Sequence, residues 1–143
     1  VPTQEIVAEW FEKYSPTGIA VLTGRFSNRI VLDIEKGEDI SRLGIPTDGP
    51  ICEAGNGNTQ YWFTHPQTGY VPTVNLEALM GIKGILRADD SYVIAPNSRL
   101  ASGAEYKWNT DNSCIHLKKL PMSFLKRLNS LIQEKKTLNL FTM

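Results

Sequence analysis

Apolar residues recur along the chain in two periods, and the switch between them sets the order of elements. Near the start, Ile6, Val7, Trp10, Phe11 and Tyr14 share one helical face. Thr3 stands where it caps that helix, and Glu5 falls in the first turn, where the helix dipole favours an acid. Ser15-Pro16-Thr17-Gly18 ends it. Two β-type runs follow at 19–22 and 29–34, and the turn-rich residues 23–28 predict a hairpin between them. The polar stretch 37–50 has room for at most one short helix. Strands at 51–54 and 59–64 flank Gly55-Asn56-Gly57-Asn58, the most turn-prone tetrad in the chain. An irregular stretch, 67–73, precedes a weak helical signal at 76–80. Strands at 84–88 and 92–95 are joined by Asp89-Asp90-Ser91, and 105–108 reads as an edge strand. Pro121 occupies the first position of a closing helix whose stripe is Phe124, Leu125, Leu128, Leu131 and Ile132. The pattern predicts one α+β domain over 1–143, with a mainly antiparallel sheet carrying helices at both ends.

Composition narrows the function classes. A chain of 143 residues with 41% apolar residues buries one core without staples. Fifteen basic residues balance fifteen acidic ones, so a nucleic-acid partner must be held by a local patch. That balance disfavours a bulk DNA coater and leaves open an enzyme whose site is acidic because it holds metal. Cys52 and Cys114 lack the spacing of a zinc or redox motif; a reduced, cytoplasmic protein is the first reading and a single disulfide the second. No apolar run approaches the length of a membrane span, and no basic-then-apolar leader opens the chain. The start at Val1 rather than Met suggests part of a longer polypeptide.

The sharpest local signal is Val31-Leu32-Asp33-Ile34-Glu35. Side chains alternate along a strand, so Asp33 and Glu35 share one face while Leu32 and Ile34 fill the other. Paired carboxylates on one strand face repel unless a cation offsets them. Two readings follow, a metal site or a solvated strand end, and residue types alone do not separate them.

Four ordered blocks from Gln4 to Leu131 resemble the bifunctional primase-polymerase (Prim-Pol) domain of the archaeo-eukaryotic primase superfamily. The first runs Ala8-Glu9-Trp10-Phe11, then 18–24 with its Thr23-Gly24 turn, then the strand ending in Asp33-Ile34-Glu35. The second is the Gly-rich turn and strand from Gly55 to Phe63. The third is Ile85-Leu86-Arg87 followed by Tyr92-Val93-Ile94-Ala95-Pro96-Asn97-Ser98, and the fourth is Gly103-Ala104-Glu105-Tyr106-Lys107-Trp108. The family's opening helix and strand have no counterpart. The resemblance implies an RRM-like palm fold and a replication protein of a mobile element, virus or plasmid. It also implies metal-dependent nucleotidyl transfer on a DNA template.

It implies further that Asp33 and Glu35 are catalytic and hold Mg²⁺ or Mn²⁺. Asn56, Gly57, Asn58, Gln60, Arg87 and Ser98 would contact the nucleotide. Single-stranded DNA, nucleoside triphosphates and a fused or associated helicase would be partners, with no membrane. Two positions depart from the family pattern. Gln60 stands where the family has histidine, and it donates a hydrogen bond without carrying positive charge. Ile85 stands where the family has its third acid and cannot ligate a metal. A register error in the gapped placement of 83–88 is the alternative. The departures raise a second function, a Prim-Pol-like module that binds DNA or nucleotide without polymerising.

Neighbours do not substitute. Asp89 shares the strand parity of Ile85 but lies roughly 13 Å further along an extended chain. His65 is an odd number of positions from Gln60 and points to the other face. Trp62, Tyr92 and Trp108 read as core or sheet-surface aromatics rather than base platforms, while Arg87 reads equally as a phosphate contact or an ion-pair partner. Lys118-Lys119, Lys126-Arg127 and Lys135-Lys136 suit a solvated helix face as well as a DNA track. His116 reads as structural.

Overall fold

Ile30, Leu32 and Ile34 alternate with Val31 and Asp33, and this alternation sets a strand between two cores. The computed structural model describes residues 3–14, 18–109 and 116–142. Its elements are α1 (Gln4–Tyr14), β1 (Ala20–Thr23), β2 (Ile30–Ile34), a 3-10 turn (Ile40–Leu43), β3 (Ile51–Glu53), β4 (Thr59–Phe63), β5 (Val74–Asn75), α2 (Leu76–Met80), β6 (Gly84–Arg87), β7 (Ser91–Ile94), β8 (Lys107–Trp108) and α3 (Met122–Thr142). The larger sheet runs β5-β6-β2-β4-β3-β8, and its paired strands are all antiparallel. The α+β class and the antiparallel sheet are as expected.

One sheet face buries Ile30, Leu32, Ile34, Phe63 and Leu86 against the helical side, where Leu76 from α2 and Phe124, Leu125 and Leu128 from α3 complete the larger core. The predicted α3 stripe is therefore correct in its buried half. The opposite face carries Val31, Cys52 and Trp62, which pack with Val93 and Tyr106 into a smaller core. Cys52 is a free buried thiol, pushed up to about 12 by burial and by the Glu53 carboxylate. Cys114 lies outside the described residues.

Thr3 caps α1 as expected, its hydroxyl accepting the Ile6 N–H at 3.2 Å. Ile6 and Val7 of the predicted face are 40% and 36% exposed. The side chains of Trp10, Phe11 and Tyr14, and the terminator 15–17, lie outside the described residues.

Two local expectations are corrected. Residues 23–28 do not join β1 to β2 as a hairpin. Gly24 and Arg29 exchange hydrogen bonds at 2.7 and 3.3 Å, but β1 then leaves to pair with β7. The Thr23 hydroxyl draws it there by donating to the Ala88 carbonyl at 2.6 Å. Gly24, at φ +105, approaches so closely that a Cβ would lie 2.5 Å from Asp89 Oδ1. Pro121 also sits one residue outside its helix: α3 begins at Met122, and the Pro121 carbonyl accepts the Leu125 N–H at 3.2 Å.

Candidate functional site

The strand registers place a single lateral row across the site face of the sheet. Ile85 of β6 is directly opposite Asp33 of β2, Asp33 is opposite Gln60 of β4, Gln60 is opposite Cys52 of β3, and Cys52 is opposite Trp108 of β8. Directly opposed residues in antiparallel strands project to the same side. Asp33, Gln60 and Ile85, from three separate sequence blocks, are therefore immediate neighbours.

Strand β7 and the 97–106 segment close over this row. The result is a cavity of about 170 Å³ lined by Asp33, Asn56, Gln60, Arg87, Tyr92, Val93, Ile94 and Tyr106. Gly55 permits the closure: a Cβ there would lie 2.9 Å from Tyr106 Cε1. Burial, followed by the Asp33 carboxylate, pushes the Tyr106 phenol up, which places that ring in the field of the acid.

Asp33 is half-buried, and its Oδ1 accepts from Asn58 Nδ2 at 3.1 Å. Glu35 lies just past the end of β2. Its N–H donates to the Lys83 carbonyl at 3.0 Å, so the extended pairing continues and Glu35 keeps the face of Asp33, exposed and outside the cavity lining. Among the described residues, no cluster of three or more His, Cys, Asp or Glu side chains gathers in a metal-holding arrangement.

Gln60 is 2% exposed and held at both ends. The Trp62 indole N–H donates to its Oε1 at 3.2 Å, and its Nε2 donates to the Ile94 carbonyl at 3.4 Å. In the Gly-rich turn, the Gly57 N–H donates to the Ala54 carbonyl and the Asn58 N–H to Asn56 Oδ1, both at 3.0 Å. Arg87 reaches Ser91 Oγ with Nη1 at 3.3 Å, while its buried Nε has no hydrogen-bond partner.

The remaining residues singled out in sequence fall elsewhere. Ser98 is buried, and its Oγ accepts the Ile19 N–H at 3.0 Å, tying the start of β1 to the loop after β7. It lines a different cavity, with Tyr106 and Trp108. Asp89 and His65 meet each other away from the row, at 3.3 Å. Neither enters the cavity, as their strand positions required. Trp62 is core, whereas Tyr92 and Trp108 are 57% and 38% exposed. Tyr92 and Tyr106 carried no site assignment in the sequence, although Tyr106 belongs to the Gly-x-x-Tyr-x-Trp block that signalled the resemblance.

The family model described as "Bifunctional DNA primase/polymerase, N-terminal" matches residues 1–123. The chain belongs to the Prim-Pol family. Residues from three of its sequence blocks, dispersed along the chain, meet in the Asp33 row. Neither a search of curated proteins nor one of solved structures returns a match to this Prim-Pol chain. Family membership implies DNA and nucleotides as substrates, and no helix among the described residues is long and apolar enough to cross a membrane.

Proposed function

We propose that the domain binds a nucleoside triphosphate in the Asp33 cavity beside a single-stranded DNA template and transfers nucleotidyl units to a primer end. The observation that carries this reading is the convergence of Asp33, Asn56, Gln60 and Arg87 in one cavity. The unpartnered Arg87 Nε supports a phosphate contact there, because a buried cationic donor is costly without an acceptor. Asn58 orients Asp33 through its amide.

The donor chemistry fits one Mg²⁺ or Mn²⁺ ion. Such ions are commonly held by one or two carboxylates together with substrate phosphates and water, and Asp33 and Glu35 supply that number. A bound ion would offset phosphate charge and polarise the primer hydroxyl. The fused or associated helicase, and the origin in a mobile element, virus or plasmid, belong to this same proposal.

Ile85 favours a second reading. It stands beside Asp33, where the family's third acid would lie, and supplies no ligand. A domain of this kind would bind DNA or nucleotide without transfer. Primer extension with labelled deoxynucleotide and Mn²⁺ separates the two. Transfer predicts incorporation that Asp33→Ala lowers by about a hundredfold or more, the scale of several kcal/mol of transition-state stabilisation. Oligonucleotide binding with no incorporation above the Asp33→Ala background would leave the binding module.

A further inference from the structure

A second and larger cavity, about 420 Å³, opens at the β8 edge of the sheet, with Arg99, Tyr106, Lys107 and Trp108 among its walls. We propose that it is a base-stacking subsite for single-stranded nucleic acid, with Trp108 as the platform. The proposal rests on reading the Asp33 cavity as the nucleotide site.

Trp108 is 38% exposed, and its ring packs on buried Trp62, with centroids 5.6 Å apart and planes tilted by 60°. An indole packed against a buried ring and partly exposed at a cavity wall presents aromatic surface at little entropic cost. Stacking on such a surface is indifferent to base identity, as a non-specific template requires. Two cations line the same cavity. Arg99 Nη2 and Lys107 Nζ bind the two carboxylate oxygens of Glu105 at 2.6 and 3.0 Å. The trio retains one net positive charge among the cavity walls, and both cationic side chains are exposed to solvent.

Position links this cavity to the reaction site. Trp108 ends the lateral row that contains Asp33, three strand spacings away. At ~4.8 Å per spacing the separation is roughly 14 Å, about the length of four nucleotides stacked at ~3.4 Å. Tyr106 lines both cavities, so the two share a wall.

The test uses the whole chain and a labelled twelve-residue oligothymidylate, with an abasic strand of the same length as control. Trp108→Leu keeps an apolar contact for Trp62 but removes the flat face, and Trp108→Phe restores an aromatic ring. The expected result is binding weakened about tenfold by Trp108→Leu and largely recovered by Trp108→Phe, with an unchanged slope of log K against log salt. Wild type should bind the abasic strand about tenfold more weakly than it binds oligothymidylate. That comparison needs no variant, so it stands even where Trp108→Leu impairs folding. Equal binding of the two strands by wild type, or full affinity in a folded Trp108→Leu protein, overturns the subsite while leaving Asp33-dependent incorporation intact. Trp108-dependent binding without incorporation supports the subsite and removes the transfer reading. A wild-type protein that binds neither strand overturns both.

Discussion

Ile85 is the residue at which chemistry and sequence pull apart. Its half-buried side chain borders Asp33 across the β2–β6 ladder, so an acid placed there would share the site with an existing carboxylate. Ile85→Asp is predicted to lower the metal-free unfolding midpoint, because two adjacent carboxylates repel. It should also make Mn²⁺ raise that midpoint more than it does in wild type, by mass action on the folded state. A thermal melt with and without Mn²⁺ reads both effects, and an unchanged response would show that position 85 does not face a cation.

Asp89 offers the contrasting case of an acid whose role is structural. Its carboxylate accepts the N–H groups of Val71 and Arg25, both at 2.7 Å, and faces His65 Nε2 at 3.3 Å. The Gln67 N–H donates to His65 Nδ1 at 2.9 Å, which leaves the ring proton on Nε2, pointing to Asp89. Burial pushes the Asp89 carboxyl up, but the Val71, Arg25 and His65 hydrogen bonds outweigh it and hold it below the ordinary 3.8. A carboxylate depressed in the folded state contributes stability that is present above the unfolded value and lost as pH falls through the folded one. Asp89→Asn should cost about 2–4 kcal/mol in urea unfolding at neutral pH, since its amide group meets donors where the carboxylate accepted them. The difference from wild type should shrink as pH falls below the ordinary aspartate value.

At the scale of elements, strand parity was legible in the sequence and strand partnership was not. Alternation alone put Asp33 opposite in face to Leu32 and sent His65 away from Gln60, and the registers agree. Partnership depended on contacts that no local pattern carries. The 23–28 segment has the composition of a hairpin turn, and it does turn back. The departure of β1 toward β7 is set by Thr23 and Gly24 meeting residues some 65 positions later. Gly24→Ala is therefore predicted to destabilise the fold by about 2–3 kcal/mol, combining overpacking against the Asp89 backbone with a positive-φ penalty. Chemical denaturation measures this. A change within about 0.5 kcal/mol would mean that the β1–β7 pair tolerates displacement from Asp89. The candidate site was readable as blocks because each block is a local motif, but its walls were not. Tyr92 and Tyr106 enter the cavity only because β7 and the 97–106 segment fold back over the row.

At the scale of the molecule, a six-stranded sheet carries unequal cores on its two faces, and a separate two-stranded sheet, β1 with β7, accompanies it. Among the described residues, fourteen buried ones form the helical side and five the site side, so the face that carries Asp33 is the less securely packed one. Leu128 is fully buried in the larger core, and Leu128→Ala should cost about 2–5 kcal/mol, whereas exposed Leu138→Ala, further along the same helix, should stay within about 0.5 kcal/mol. The asymmetry also predicts an order of opening. Strands β2 and β4 lie between two cores and two neighbours each, while β1 and β7 form a two-stranded pair resting on the smaller core. Local opening follows the least buried apolar contact, so the amides of 20–23 and 91–94 should exchange with deuterium well before those of 30–34 and 59–63. Because Tyr92 and Ile94 of β7 wall the Asp33 cavity, the same opening exposes the nucleotide site. A nucleoside triphosphate bound there should therefore slow exchange in β1 and β7 and leave β2 and β4 unchanged. Protection confined to the helical face would place the ligand elsewhere.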